Sequence, residues 1–222
     1  MMLDSKTRYL QIAFNDDIHL VKMVLPGIVK SPRILIEAGT PYLKREGMRG
    51  LMEIRRQWPG YIVADLKIVD GALGEVDMAH QYGATAVTAL GNAPKETLDL
   101  FIKRCQQLDI VSMIDMLGVN DPLAVLRPLI APPNVVVLHR GRDEETNRSK
   151  LINYRHISRI RSKYNIVISA AGGVDLKEAS SAIFNGANMI VANLVSPGQN
   201  WKGISTASDV SEMAQRFLEI LE

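Results

Sequence analysis

The stretch Tyr61-Ile-Val-Ala-Asp65-Leu-Lys67-Ile-Val-Asp70 leads from an apolar strand directly into three charged side chains. Residues two apart on a strand share a face, so Asp65 and Lys67 should lie on one side and Leu66 on the other. If the strand belongs to a closed barrel, the shared side is the interior. Because an unpaired buried charge is costly, we expect these charges to compensate one another in a network. The alternative is an exposed strand end whose charges are merely solvated.

Apolar runs of strand length recur along the chain and alternate with amphipathic segments of helical period. The predicted strands are Tyr9–Phe14, Ile34–Ile36, Tyr61–Ala64, Ala86–Leu90, Ile110–Ile114, Val135–Leu138, Ile166–Ala170 and Met189–Ala192. The predicted helices are Leu43–Trp58, Leu73–Tyr82, Glu96–Leu108, Pro122–Ile130, Leu151–Tyr164, Leu176–Asn185 and Ala207–Leu221. This alternation predicts an α/β fold, a (β/α)₈ TIM barrel, as a single domain over residues 1–222. A doubly wound open sheet shares the alternation but seldom needs eight strands in a chain of this length.

Composition excludes several classes of function. The 26 basic and 24 acidic residues give a formal charge of +2 and are scattered along the chain, which argues against nucleic acid as a partner. No apolar run is long enough to cross a bilayer, and the N-terminal residues lack the apolar core of a signal peptide, so we expect a cytoplasmic protein. The lone Cys105 excludes an internal disulfide, and we expect it to be a half-buried apolar residue.

Polar residues accumulate immediately after the predicted strands, at the end where barrels of this kind build their active sites. In chain order they are Asn15, Asp16, Glu37, Asp65, Lys67, Asp70, Gly91, Asn92, Asp115, His139, Arg140, Arg142, Asp143, Gly172, Gly173 and Asn193. The opposite strand ends carry no comparable mixture of acids, histidine and lysine. We therefore expect the functional site at the carboxyl ends of the strands.

The residue types at these positions indicate an acid–base site with a cation. Glu37 and Asp65 follow neighbouring strands, and two converging carboxylates suit Mg²⁺. Lys67 is suited to stabilise negative charge that develops on an enediolate or enolate oxygen. His139 can carry a proton near neutral pH, and Arg142 can brace a phosphate or a water involved in proton transfer.

Other candidates have both a functional and a structural interpretation. Gly172-Gly173 follows the seventh strand, where barrels often bind phosphate through backbone amides, although a tight turn alone would explain it. His139 is interpretable as a hydrogen-bonded structural residue, and Asp115 as a cap of the turn between strand and helix. The remaining histidines, His19, His80 and His156, fall in helical stretches and are interpreted as surface or packing residues.

Several motifs, in order along nearly the whole chain, resemble the 3-hexulose-6-phosphate synthase and 3-keto-L-gulonate-6-phosphate decarboxylase group of the orotidine 5′-phosphate decarboxylase suprafamily. The similar segments are Ile36-Glu-Ala-Gly-Thr-Pro41, Lys44-Arg-Glu-Gly47, Val63-Ala-Asp-Leu-Lys-Ile-Val-Asp70, Ile114-Asp-Met-Leu-Gly-Val119, Leu138-His-Arg140 and Ala171-Gly-Gly173. The stretches Ser112–Pro122 and His139–Glu144 resemble the archaeal synthases in particular.

The resemblance implies a Mg²⁺-dependent aldolase that joins formaldehyde to ribulose 5-phosphate or runs in reverse. Glu37 and Asp65 would bind the metal, Lys67 would stabilise the enediolate, and His139 would take part in proton transfer. The resemblance also implies a homodimer in which Asp70 reaches into the neighbour's site. Substrate contacts would come from Asn15, Glu37, Asp115, Arg142, Ala171, Gly172, Gly173, Ala192 and Asn193.

Two departures from the group's pattern bear on the substrate. The first strand usually ends in Asp, where this chain has Asn15, and Asp16 one residue on would point elsewhere. After the eighth strand many relatives have Gly-Arg or Gly-Ser for the phosphate, where this chain has Ala192-Asn193 and so lacks a charged clamp. The acids and the lysine are kept while the substrate-holding ends differ, which favours a related reaction on a different substrate over loss of activity.

Three alternatives to the aldolase stay open at this point. Decarboxylation of a β-keto sugar acid phosphate would use the same enediolate and Mg²⁺, and Arg142, three residues after His139, favours it. Thr88-Ala-Leu-Gly91 and Asp115 favour the synthase. The second alternative is a non-catalytic sugar-phosphate-binding or regulatory descendant. The third is an unrelated sugar-phosphate lyase or isomerase.

Overall fold

A computed structural model describes residues 3–147 and 149–222 of the chain. Its parallel strands are β1 (Tyr9–Phe14), β2 (Ile34–Ala38), β3 (Ile62–Ile68), β4 (Ala86–Leu90), β5 (Val111–Asp115), β6 (Val135–His139), β7 (Val167–Ala171) and β8 (Met189–Val195). Each pairs with the next in sequence, and β1 also pairs with β8, with Ile12 opposite Ala192. This pairing closes the sheet, so the predicted (β/α)₈ barrel is confirmed and the open sheet is excluded. A short strand, β9 (Ile204–Ser205), extends the sheet beside the end of β8.

Helices follow the strands around the barrel. They are α1 (Ile18–Val24), α2 (Thr40–Gln57), α3 (Ala72–Gln81), α4 (Lys95–Gln107), α5 (Pro122–Leu126), α6 (Arg155–Arg161), α7 (Leu176–Phe184) and α8 (Val210–Ile220). The predicted helices omit α1, and two of them are too long. Pro128 has no backbone N–H to continue the helical hydrogen bonds, so α5 ends at Leu126 with Arg127 as its cap. The α6 helix begins only at Arg155, and Leu151 is exposed.

The two-residue period of the strands separates two apolar cores. One fills the barrel and includes Tyr9, Leu35, Val63, Val111, Met113, Val135, Val137, Val167, Met189 and Val191. The other lies between strands and helices and includes the intervening strand residues, such as Leu10, Ile12, Ile36, Val87, Ile114, Leu138, Ile190 and Ala192. The positions that continue the inner face toward the carboxyl ends of the strands are the ones that reach the site.

The burial of Cys105 differs from expectation, whereas the three histidines in helical stretches lie at the surface or in the packing as expected. Cys105 is fully buried rather than half-buried, because it lies on the face of α4 that packs against the core. His156 is buried in α6, while His19 and His80 are exposed. Among the helices of the described ranges, none has the length and apolarity that crossing a membrane requires.

Candidate active site

A cavity of about 500 Å³ opens at the carboxyl ends of the barrel strands. Every strand of the barrel contributes to its walls, through Gln11, Glu37, Asp65, Lys67, Thr88, Met113, Asp115, Val137, His139, Ala171, Val191 and Asn193. These residues continue the inner face of each strand, so the charges of the strand ends converge on one space. The cavity thus lies at the end of the barrel where the sequence predicts a functional site.

Lys67 lies between two buried carboxylates. Its Nζ donates to Oδ2 of Asp115 at 2.6 Å and to Oδ1 of Asp65 at 3.1 Å. Asp115 also lies against the imidazole of His139, whose Nδ1 is 2.8 Å from Oδ2. Asp65 and Asp115 are 8% and 2% exposed, so the interpretation of a solvated strand end is wrong. The charges form the compensating network that the sequence predicts.

Two threonine hydroxyls hold Asp65 in place. The Thr88 hydroxyl donates to Oδ1 of Asp65 at 2.8 Å and accepts the backbone N–H of Lys67 at 3.0 Å. The Thr40 hydroxyl lies 2.8 Å from Oδ2 of Asp65. Lys67 has a φ of 52°, a left-handed conformation that is uncommon for a side-chain-bearing residue, at an irregularity in the pairing of β3 with β4. The strand is therefore distorted at the residue that carries the ammonium group.

The mutual arrangement of these charges shifts their pKa values. Burial disfavours the charged form of Lys67, but the carboxylates of Asp65 and Asp115 outweigh it and raise the pKa of the ammonium above its ordinary range. Burial acts likewise on His139, and Asp115 again outweighs it, so the pKa of His139 is raised. Burial opposes ionisation of Asp115, yet His139 and Lys67 hold its pKa well below the usual range. Lys67 is therefore protonated and Asp115 ionised near neutral pH.

Glu37 is the carboxylate of the cluster that lacks a cation of its own. Burial, followed by the charge of Asp65, raises its pKa from 4.5 to about 7. The Nε2 amide of Gln11 donates to Oε2 of Glu37, while Oε1 of Gln11 is buried and has no hydrogen-bond partner among the described residues. Two neighbouring carboxylates and a buried amide oxygen without a partner among the described residues form an oxygen donor set that suits a hard divalent cation.

No group of three or more acidic, histidine or cysteine side chains is arranged as a metal site within residues 3–147 and 149–222. Mg²⁺ commonly takes only one or two carboxylates from a protein and completes its octahedron with water and substrate oxygens. Glu37 and Asp65 fit that mode of binding. They do not fit a metal enclosed entirely by protein ligands.

The turn after β7 is built from two glycines in left-handed backbone conformations. Gly172 has a φ of 103°, and a Cβ there would lie 1.9 Å from the carbonyl oxygen of Arg140. Gly173 has a φ of 64°. The close approach of the Arg140 backbone alone therefore requires glycine at position 172. Neither glycine amide has a hydrogen-bond acceptor among the described residues, and Gly172 lines the cavity.

Cationic side chains approach this turn from two loops. Arg142, after β6, lies over the ring of Trp201 at 5.5 Å from its centroid. Lys202, in the loop between β8 and β9, pairs with Asp175 at the start of α7 at 3.0 Å. Trp201 and Lys202 were not among the predicted site residues, because the sequence around them has no strand or helix pattern that places it. Trp201 thus holds the guanidinium of Arg142, and Lys202 lies beside the start of α7.

The predicted substrate contacts divide into those that line the cavity and those that do not. Asn15, Arg142, Ala171, Gly172 and Asn193 line it, and the Nδ2 amide of Asn15 donates to Oδ1 of Asn193 at 3.0 Å. Their roles stay predictions.

Three predicted residues lie outside the walls of the cavity. Ala192 occupies the outward position of β8 and its side chain packs against the helices, so its predicted contact with substrate stays a prediction that only its backbone could fulfil. Gly173 lies beyond the walls, next to Arg140 and Glu145. Asp70 is exposed beyond the end of β3. Asp16 points away as expected and accepts the hydroxyl of Ser196 at 2.8 Å.

Gln11, Thr40 and Thr88 are site residues that the sequence interpretation missed. Gln11 and Thr88 are polar residues on the inner face of otherwise apolar strands, and that break in pattern was the available signal. Thr40 begins α2, and only the structure shows its hydroxyl turned toward Asp65.

Residues 29–193 match a family model described as the orotidine 5′-phosphate decarboxylase / HUMPS family. The chain is 38% identical over 216 residues to the bifunctional enzyme Fae/Hps of Methanothrix thermoacetophila, which covers 96% of this chain and 53% of that protein. The chain thus spans about half the length of the curated relatives it matches.

Two solved structures of 3-hexulose-6-phosphate synthases are similar over nearly the full length. The one from Salmonella typhimurium superposes with a TM-score of 0.84 at 24% identity and covers 96% of this chain and 98% of that one. A second superposes with a TM-score of 0.79 at 26% identity and covers 96% and 100%. At 24% identity the first comparison supports the fold alone. The second, at 26% identity, also shows similarity in sequence.

Proposed function

Since the chain belongs to the orotidine 5′-phosphate decarboxylase / HUMPS family, we propose that it is a carbon–carbon lyase that acts on a phosphorylated ketose through an enediolate. The leading reaction is that of a 3-hexulose-6-phosphate synthase, which joins formaldehyde to ribulose 5-phosphate or runs in reverse. The names of its relatives support this reaction. The observation that carries the proposal is the Lys67 ammonium, fixed in the cavity between Asp65 and Asp115.

In the forward direction neutral His139 takes a proton from C1 of ribulose 5-phosphate, and the resulting enediolate attacks the carbon of formaldehyde. The carbonyl oxygen of formaldehyde then takes up a proton, which leaves a new hydroxymethyl group. Lys67 stabilises the negative charge of the enediolate, since its ammonium stays protonated and is already held by fixed carboxylates. His139 moves a proton at the reacting end, with Nδ1 oriented by Asp115.

Glu37 and Asp65 would hold Mg²⁺, in agreement with the burial of Glu37 next to a second carboxylate, which together raise its pKa. When bound, the ion would act as a Lewis acid and balance the charge of the substrate oxygens. Thr40 and Thr88 keep Asp65 oriented whether or not the ion is present.

The direct test is incubation of the purified protein with Mg²⁺, formaldehyde and ribulose 5-phosphate. The proposal expects loss of formaldehyde above that of a protein-free blank. If formaldehyde falls no faster than in the blank, the synthase is excluded.

Decarboxylation of a 3-keto sugar acid phosphate is the second candidate, and Arg142 favours it. Its guanidinium lines the cavity and is held against Trp201, so it is positioned to act on a substrate. Incubation with 3-keto-L-gulonate 6-phosphate and measurement of released CO₂ distinguishes the two reactions. CO₂ release without formaldehyde consumption selects the decarboxylase.

We also propose that two copies associate around the end of β3 and the start of α3. Asp70 lies there, and its apolar neighbours Val69 and Leu73 are 50% and 47% exposed. Such side chains next to a charged residue suit a subunit interface, in which Asp70 would enter the partner's cavity.

A further inference from the structure

The loop after β6 places a carboxylate beside the glycine turn that follows β7. A Cβ built on Gly173 would lie 2.5 Å from Oε2 of Glu145 and 2.5 Å from Nη2 of Arg140. Glu145 belongs to a short 3₁₀ helix, Asp143–Thr146, and its side chain lines the active-site cavity. The carboxylate of Glu145 thus lies beside Gly173 in this turn.

The position of Glu145 is not maintained by a hydrogen bond or ion pair of its carboxylate with any residue of the described ranges. Its neighbour Glu144 accepts the N–H of Gly141 at 2.9 Å and pairs with Lys150 at 3.3 Å. Glu144 therefore stabilises the loop, and Glu145 can leave the turn without breaking a hydrogen bond or ion pair to residues 3–147 or 149–222.

The surroundings of Glu145 are cationic. Burial raises the pKa of its carboxyl group above the usual range, while Arg140, Arg142, His139 and Lys202 oppose the shift. Two free amides with several cations in electrostatic range suit a phosphate group. A carboxylate at the same place repels that phosphate.

We propose that Glu145 is a specificity-determining residue that competes with the phosphate of the substrate for the Gly172–Gly173 turn. The phosphate binds there when Glu145 swings toward solvent, and Arg140, Arg142 and Lys202 then neutralise the phosphate instead of the carboxylate. The identity of the ligand as a sugar phosphate rests on the proposed function, but occupation of the turn by a phosphate requires no turnover.

Titration of inorganic phosphate into the ¹⁵N-labelled full chain tests this, with the amide signals of Gly172 and Gly173 as the readout. Removal of one like charge at close range should tighten phosphate binding in Glu145→Gln by about tenfold. The matched control is Asp143→Asn, which removes the same charge from an exposed position of the same 3₁₀ helix and the same cavity wall. Because water screens that position, its effect should stay below about twofold. A second variant, Glu145→Ala, should tighten binding as Glu145→Gln does.

Equal tightening of phosphate binding in Asp143→Asn would show that the effect comes from the net charge of the loop and not from the position of Glu145. That result would overturn the proposal. So would unchanged or weaker binding in both Glu145 variants, or the absence of shifts at the Gly172 and Gly173 amides. Formaldehyde consumption is measured separately. Tightened phosphate binding without turnover would keep the role of Glu145 and exclude the synthase, whereas turnover with unchanged phosphate affinity would exclude only the role of Glu145.

Discussion

Lys67 carries the central role at the residue scale, because its ammonium is protonated and already held in place by two carboxylates before substrate arrives. Replacing Lys67 by Ala removes the group that stabilises the enediolate, so kcat should fall by at least about 100-fold. Binding of ribulose 5-phosphate, measured by calorimetry, should survive. Lys95→Ala is the control, since Lys95 is a surface lysine that also pairs with a carboxylate, Asp99.

Retention of turnover in Lys67→Ala would contradict the assigned role. Binding of ribulose 5-phosphate to the parent protein without turnover on any sugar phosphate would instead favour the non-catalytic, ligand-binding alternative.

Glu37 should make stability depend on pH in the metal-free protein. Its pKa in the folded state is raised to about 7 from an ordinary 4.5, so the folded state holds the proton more tightly than the unfolded state. The contribution is fully present below the unfolded-state pKa and is lost as pH rises through about 7. The loss in free energy of unfolding should approach about 3 kcal/mol.

Urea unfolding of the parent protein and of Glu37→Gln, in chelator and at several pH values from acid to mildly alkaline, measures this term. Glu37→Gln keeps an acceptor for Gln11 but cannot ionise, so its stability should fall less over that window. Identical slopes for the two proteins would contradict the assignment. The pKa of His139 is also raised, so its contribution to the free energy of unfolding falls as pH rises. This fall occurs in both proteins and cancels in the comparison.

The charged residues of the site were predictable from the sequence, whereas the hydroxyl and amide groups around them were not. Asp65, Lys67 and Asp115 follow apolar runs, and burial there forces charges to pair. Thr40 and Thr88 are common in helices and strands of any kind, so only their distances to Asp65 mark them.

At the scale of elements, the turn between β7 and α7 requires glycine because the backbone that follows β6 lies close to it. A Cβ at Gly172 would meet the carbonyl oxygen of Arg140, and the positive φ adds strain. Gly172→Ala should therefore lower the free energy of unfolding by about 2 to 4 kcal/mol. The matched control is Gly74→Ala in α3, where no atom lies within 4 Å of the new methyl group. Because alanine favours helix, the control should gain about 0.5 to 1 kcal/mol.

Chemical denaturation of the two variants checks this pair. Equal stabilities for Gly172→Ala and the parent protein would show that the turn tolerates a side chain. The glycines would then have to be explained by ligand access alone.

The strands were predicted better than the helices, for a physical reason. Strands buried on both faces appear as continuous apolar runs, whereas a helix boundary depends on local chemistry. Pro128 shortens α5, and α1 is a short helix whose Asp17 cap was passed over. Alternation on β8 directs Asn193 inward and Ala192 outward, so the two neighbouring candidates differ in their access to the cavity.

At the scale of the whole molecule, the proposed dimer would complete each cavity with Asp70 of the other copy. Leu73→Asp places a charge among the exposed apolar residues beside Asp70 and should convert a dimer into a monomer with reduced turnover. Ile130→Asp is the control, since Ile130 is 86% exposed on another part of the barrel. Light scattering after size exclusion gives the mass, and a monomeric parent protein with full activity would exclude the shared site.

The closed barrel follows from the sequence because eight buried strands in regular alternation with helices leave few other ways to cover both faces of the sheet. The orientations of side chains within loops do not follow from the sequence. Glu145, Trp201 and Lys202 lie in such loops. The catalytic end of the molecule is therefore predictable, while the features that select its substrate require the structure.

The most direct test of the central claim is a ¹³C NMR experiment with labelled formaldehyde, ribulose 5-phosphate and Mg²⁺. If Lys67 stabilises an enediolate that attacks formaldehyde, the label should appear in a new hydroxymethyl carbon bonded to C1 of the pentulose, and not with Lys67→Ala. If the label stays in formaldehyde and its hydrate in the presence of the parent protein, the claim is contradicted.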